Sequence, residues 1–143
     1  MNPWRGIPMV EIAAKSPTLV DFIKLPETEP ASEYIDGEII QKPMPQGKHS
    51  VIQGELVSTI NTVVKSRRIA RALLELRCTF DERSIVPDMS VFVWDRIPRE
   101  ENGEIANIFP LAPDWAIEIL SHEQSQTNAQ VRSHYVQGVT VQS

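Results

Sequence analysis

Two acidic side chains in this sequence lie in strongly apolar surroundings, where an unpaired charge is costly. Asp88 opens the apolar run 89–94, and Glu118 interrupts the run 115–120. If two strands bring these carboxylates together, they could hold Mg²⁺, which proteins commonly bind through one or two carboxylates. Such an ion can activate water and stabilise a phosphodiester under attack. Two simpler interpretations stay open: Asp88 is a strand-end residue after Pro87, and Glu118 faces solvent on an edge strand.

The first half of the chain supplies a hairpin and a long helix. Asp36-Gly37 between two β-prone runs predicts a hairpin with strands at 32–35 and 38–42. Apolar residues at helical spacing predict a helix over 48–65. Its expected buried face consists of Val51, Ile52, Leu56, Ile60, Val63 and Val64.

Three further strands should carry or flank the acidic residues. Alternation over 72–80 predicts one half-buried strand, and the nearly continuous apolar run 85–94 predicts a central strand. A third strand is expected at 114–120. The remainder, 121–143, is polar and could form a helix around 126–136.

Length, charge and cysteine content exclude several classes of protein. The 143 residues suit one domain, and the net charge of −5 disfavours a protein that coats nucleic acid with a basic surface. A single cysteine, Cys78, excludes a disulfide framework and a cysteine-rich zinc site, so we expect a cytoplasmic protein with a buried, inert thiol. No apolar run approaches the roughly 20 residues that span a bilayer.

Four segments in this order resemble the Uma-two family of restriction-endonuclease-like proteins, in the PD-(D/E)XK nuclease superfamily. They are EYIDGE at 33–38, MPQGKHS at 44–50, VPDMSVF at 86–92 and DWAIEILS at 114–121. The resemblance covers about residues 18–127. It implies an α/β, restriction-endonuclease-like domain there, with a long helix on a curved mixed sheet. A loosely held segment, 1–17, would precede this domain and a divergent tail, 128–143, would follow it.

The resemblance also implies an activity: a Mg²⁺- or Mn²⁺-dependent DNA endonuclease that uses a metal-activated water. Asp88 matches the aspartate of the PD motif, and Glu118 matches the acidic residue of the next strand, so both would be metal ligands. Glu33 would be a further ligand or base. His49, at the start of the long helix, would contact substrate or hydrogen-bond within the site.

Basic residues offer candidate DNA contacts. Lys48 adjoins His49, and Arg67 and Arg68 belong to the densest positive cluster in the chain. These side chains could contact the phosphate backbone. The alternative for the arginine cluster is a solvated helix end, since runs of charge usually face water.

One departure from the superfamily pattern favours a second interpretation. The pattern has a lysine two residues after the acidic residue of the strand, where this chain has Leu120. The position to which family members move that lysine is Asn128. A truncated or frameshifted, catalytically inactive member that acts as a binding or interaction module would explain this. In a third interpretation, loss of the C-terminal strand exposes a sheet edge and promotes a homodimer.

Overall fold

The computed structural model describes residues 16–120 and 138–142, the latter as backbone only. Two α-helices, α1 (Leu19–Ile23) and α2 (Gly47–Val64), occur in this part of the chain, with a 3₁₀ turn at Trp94–Arg96. The strands are β1 (Ser32–Ile35), β2 (Glu38–Gln41), β3 (Ala70–Leu74), β4 (Cys78–Phe80), β5 (Arg83–Ile85), β6 (Met89–Val93), β7 (Trp115–Leu120) and β8 (Gly138–Gln142). Neither helix is long and apolar enough to cross a membrane.

The strands form two four-stranded sheets. The first has the order β2-β1-β5-β4 and is antiparallel throughout. The second has the order β3-β6-β7-β8, with β8 parallel to β7 and the other pairs antiparallel. The predicted α/β class is confirmed, with the strands divided between two sheets.

Helix α2 covers one face of the second sheet. Small and aliphatic residues of β3, β6 and β7 form a buried cluster there, and the helix contributes Leu56, Val57, Ile60 and Val64. Predicted face residues Val51 and Val63 are instead exposed, at 59% and 54%. The buried face of α2 is therefore narrower than the sequence predicted, because only the residues on the side facing the sheet are packed against it.

The two longest strands predicted from sequence are each broken, and each break moves the chain to the other sheet. The run 72–80 divides into β3 and β4 around Glu75, whose φ of 45° no strand residue adopts. The run 85–94 divides into β5 and β6 around Pro87, which cannot donate a ladder hydrogen bond. Alternation continues through the first break and the nearly continuous apolar run through the second, so the pattern alone did not mark them.

A second buried cluster joins the two sheets. It combines residues of both sheets with Ile97 and Phe109 from the long loop before β7. The rings of Phe92 and Phe109 meet edge to face, with centroids 5.0 Å apart. Strand β6 buries Met89 and Val91 in the first cluster and Phe92 in the second, and it lies inside its sheet, as the sequence predicted for a central strand.

The hairpin prediction is also confirmed. Asp36 and Gly37 both have positive φ, 50° and 82°, as a two-residue hairpin turn with the twist of its strands requires. Tyr34 on β1 donates its hydroxyl proton to the carbonyl of Pro17 at 2.8 Å, which ties residues before α1 to the sheet.

The predicted tail contains a strand. β8 pairs with β7 over five residues, so β7 is not the sheet edge in the described structure. The third interpretation, which exposed this edge, is therefore wrong in its premise. The helix considered at 126–136, Asn128 and residues 1–15 lie outside the described residues.

Candidate functional site

Asp88 lies at the centre of a buried polar cluster where the chain passes from the first sheet to the second. Its Oδ2 accepts the backbone N–H of Ile119 at 2.8 Å and lies 3.1 Å from His49 Nε2. Its Oδ1 accepts from Lys42 Nζ at 2.8 Å. Both carboxylate oxygens of Asp88 are thus held in place by neighbouring elements.

Glu118 approaches the same point from the neighbouring strand. The antiparallel register of β6 and β7 pairs Met89 with Ile117, which places Glu118 next to Asp88. Glu118 is 5% exposed, and its Oε2 lies 3.7 Å from Lys42 Nζ. The two carboxylates that the sequence singled out therefore converge on one ammonium nitrogen.

Glu33, on strand β1, is the third acidic residue of this cluster. It is completely buried, and its Oε2 accepts the backbone N–H of Val86 at 2.8 Å. Lys42 donates to the carbonyl of the same residue. Glu33 and Lys42 together hold the peptide groups around Val86, two residues before Asp88.

Helix α2 contributes two side chains one turn apart. His49 faces the Asp88 carboxylate, and Gln53 Nε2 donates to the Asp88 backbone carbonyl at 2.8 Å. With Nε2 directed at Asp88, His49 Nδ1 is buried and has no hydrogen-bond partner among residues 16–120. The helix therefore fixes both the side chain and the backbone of Asp88.

The charges in the cluster stabilise one another. Burial alone would raise the pKa of Asp88, but the Lys42 ammonium, the Ile119 N–H and His49 bring it below its ordinary value. Burial alone would lower the pKa of Lys42, but Glu118, Asp88 and Glu33 bring it above its ordinary value. At neutral pH the cluster therefore contains a charged lysine and a charged Asp88.

The donor set fits a divalent cation of the Mg²⁺ type. Three buried acidic side chains, Glu33, Asp88 and Glu118, share the single ammonium of Lys42. Carboxylate oxygens are the ligands that Mg²⁺ prefers. No group of three or more His, Cys, Asp or Glu side chains close enough to hold a metal occurs in the described part of the chain. The protein would then supply two carboxylates, and water or substrate the other ligands.

The basic residues predicted to contact DNA lie at opposite ends of α2. Lys48 is exposed in its first turn, beside His49. Arg67 and Arg68 are exposed beyond its last turn, and this helix of 18 residues is about 27 Å long. The structure therefore places Lys48 at the same end of α2 as His49, and the two arginines at the other end of the helix.

Sequence reasoning missed Lys42 and Gln53. The register of the β1–β2 hairpin pairs Glu33 with Ile40, and directly opposed residues share a face. Lys42, two residues beyond Ile40, continues along that face. The Asp36-Gly37 turn and strand alternation together could therefore have placed Lys42 beside Glu33.

Comparisons with known proteins identify the family of this chain. A family model, Uma2, described as "Putative restriction endonuclease", matches residues 19–141. The chain belongs to the Uma2 family. The match extends through β8 and thus into the tail that was expected to diverge after residue 127.

A solved structure is similar to this Uma2 chain over most of its length. It is the crystal structure of "a putative nuclease belonging to DUF820" from Anabaena variabilis ATCC 29413. The two chains are 66% identical, with a TM-score of 0.84, over 88% of this chain and 74% of that one. A search of curated proteins found no match.

Proposed function

We propose that this Uma2 protein is a DNA endonuclease that hydrolyses phosphodiester bonds with a divalent cation, Mg²⁺ or Mn²⁺. The observation that carries the proposal is the convergence of Asp88 and Glu118, from two strands, on one cationic nitrogen. Membership of a restriction-endonuclease-like family and similarity to a nuclease structure support the same activity. A cytoplasmic location and a homodimer stay predictions.

In this proposal Asp88 and Glu118 hold the cation. When bound, it would lower the pKa of a water molecule and offset negative charge on the phosphate under attack. The Ile119 N–H fixes Asp88, and strand β7 fixes Glu118, so neither carboxylate has to be ordered when substrate binds. This preorganisation is what electrostatic catalysis requires.

The surrounding residues position the site and its substrate. Glu33 holds the Val86 peptide N–H and thereby fixes the chain that leads into Asp88. His49 orients Asp88 through Nε2, and its other ring nitrogen, Nδ1, is buried with no hydrogen-bond partner in the described part of the chain. Lys48 would contact the DNA backbone near the cluster, whereas Arg67 and Arg68 would contact it only on a duplex extending about 27 Å along α2.

Lys42 argues against the inactive alternative. That alternative rested on the absence of lysine at Leu120 and Asn128 and on the divergence of the C-terminal residues from the family pattern. Leu120 is a buried strand residue, and the amine near Asp88 and Glu118 comes from Lys42, after β2. An ammonium at this point can offset charge on a phosphate, whichever strand carries it.

A cleavage assay tests the proposal. Supercoiled plasmid and a linear duplex are incubated with the protein and Mg²⁺ or Mn²⁺, and then with excess EDTA. We expect cleavage that EDTA abolishes and that Asp88→Ala lowers by a factor of roughly 100 or more. Asp95→Ala, which removes an exposed aspartate from the 3₁₀ turn, is the matched control and should retain activity.

Two results would contradict the proposal. Equal cleavage by wild type and Asp88→Ala would show that the activity comes from elsewhere. A folded wild type that binds neither metal nor DNA would favour the inactive interaction module instead.

A further inference from the structure

Lys42 is buried at the point where a cation is expected. Its side chain is 10% exposed, and its Nζ contacts Asp88 Oδ1 at 2.8 Å and lies 3.7 Å from Glu118 Oε2. Its third partner is the Val86 carbonyl, which belongs to the backbone. An ammonium in this position replaces the water that the carboxylates lost on burial.

We propose that Lys42 is an internal counter-ion that competes with the divalent cation for Asp88 and Glu118. The proposal rests on the function proposed above, because it concerns the same site. In the metal-free protein Lys42 neutralises the carboxylates and keeps them together. The cation can bind them only when the Lys42 ammonium gives up these oxygens, so Lys42 sets the metal affinity of the site.

The occupancy of the Asp88 oxygens explains why the two cations compete. Oδ2 already faces the Ile119 N–H and His49. Strand β7 and helix α2 hold these two groups in place beside Asp88. Oδ1 is the oxygen that Lys42 holds, and the same Lys42 Nζ lies 3.7 Å from Glu118 Oε2. Removal of Lys42 frees Oδ1 without disturbing the groups that fix Oδ2.

The Lys42 side chain can also move away from the carboxylates of Asp88 and Glu118. Its four-carbon stem is flexible and its ammonium has no fixed bonding geometry, unlike the planar guanidinium of arginine. After it gives up Asp88, Lys42 keeps its hydrogen bond to the Val86 carbonyl. The positive charge thus stays beside the cluster, where a phosphate would approach.

The test measures metal affinity separately from cleavage. Mn²⁺ is titrated into the metal-free, full-length wild type and into Lys42→Met, and the Kd is measured by calorimetry or from the spin signal of free Mn²⁺. We expect the Kd for Mn²⁺ to fall at least about tenfold in Lys42→Met, because a positive charge next to the bound ion is removed. Lys24→Met, which removes an exposed lysine at the end of α1, should leave the Kd unchanged.

If Lys42 has only a structural role, the Kd for Mn²⁺ should not fall when Lys42 is removed. If Lys42 only stabilised the fold, its removal would disorder the carboxylates, and the Kd for Mn²⁺ would rise or stay constant. That result would overturn the competition. Thermal unfolding gives a second readout, since Mn²⁺ should raise the Tm of Lys42→Met more than that of the wild type.

A crystal structure of the wild type with Mn²⁺ keeps the test valid even if Lys42→Met does not fold. We expect an anomalous peak at Asp88 and Glu118, with Lys42 Nζ displaced from Asp88 Oδ1. Bound Mn²⁺ with the 2.8 Å contact intact, or no Mn²⁺ in any variant, would overturn the proposal. Tighter Mn²⁺ binding by Lys42→Met in a protein that cleaves no DNA would refute the nuclease function and leave the competition standing.

Discussion

Asn61 is the residue whose removal tests most directly how α2 is held on the sheet. Strand β3 forms the edge of the second sheet in the described structure, so Ala72 presents one N–H and one C=O away from β6. The Asn61 side chain meets both groups. Its Oδ1 accepts the Ala72 N–H at 2.9 Å, and its Nδ2 donates to the Ala72 carbonyl at 3.0 Å. Asn61→Ala removes both hydrogen bonds and leaves the fold otherwise intact.

The expected cost follows from these two bonds. Each is worth roughly 1 kcal/mol, and a partly buried peptide group left without a partner adds a further penalty of about 1 kcal/mol. Alanine favours the helix over asparagine by roughly 0.5–0.7 kcal/mol, which offsets part of the loss. The free energy of unfolding should therefore fall by about 2 kcal/mol, which corresponds to a Tm lower by about 6–8 °C for a protein of this size.

Urea unfolding followed by circular dichroism gives this difference. Thr59→Ala, an exposed substitution on the same helix, is the control and should raise the free energy of unfolding by roughly 0.5–0.7 kcal/mol, because it changes helix propensity alone. An Asn61→Ala protein within 0.5 kcal/mol of the wild type, on the scale of ordinary surface substitutions, would refute the reasoning. It would mean that water satisfies the edge of β3 as well as Asn61 does.

Three other predictions concern the core and the ionisable groups. Phe92 is fully buried against Phe109, so Phe92→Ala should lower the free energy of unfolding by about 3–5 kcal/mol in the same assay, and a loss below 1 kcal/mol would contradict its central position. Burial raises the pKa of the Cys78 thiol to about 11, so a thiol reagent at pH 8 should label the native protein only as fast as it unfolds; rapid labelling would contradict the burial of this side chain. The Arg77 guanidinium holds the pKa of Glu27 below its ordinary value of 4.5, so the stabilisation by this pair is present above pH 4.5 and is lost as the pH falls below the folded-state pKa. Because Glu27 is 72% exposed, a double-mutant cycle at pH 7 should give a coupling below about 1 kcal/mol, and a coupling undiminished at pH 2 would contradict the assignment.

Much of the local structure could be predicted from sequence because its causes are local. Asp36-Gly37 permits the backbone angles of a tight hairpin, and the 3.6-residue spacing of apolar residues predicts α2 almost to its ends. The acidic residues Asp88 and Glu118 were recognisable because a carboxylate in an apolar strand needs a partner. Their roles as metal ligands stay predictions.

The breaks within the longest predicted strands could not be read in the same way. Both halves of each run face a hydrophobic core, one under α2 and the other between the sheets, so the apolar pattern of each run looks continuous. The positive φ of Glu75 and the position of Pro87 relative to two different sheets are consequences of tertiary structure. Propensity and periodicity describe one strand at a time.

The sequence by itself determined the hairpin, the long helix and two of the carboxylates. Only the tertiary structure decided which cation stands between them. Lys42 lies 46 positions from Asp88 in the chain, yet the β1–β2 hairpin and the crossing from β5 to β6 bring them within 2.8 Å. The reason is physical: a buried charge is stabilised by whichever opposite charge is near in space, and nearness in space is set by strand pairing rather than by a motif.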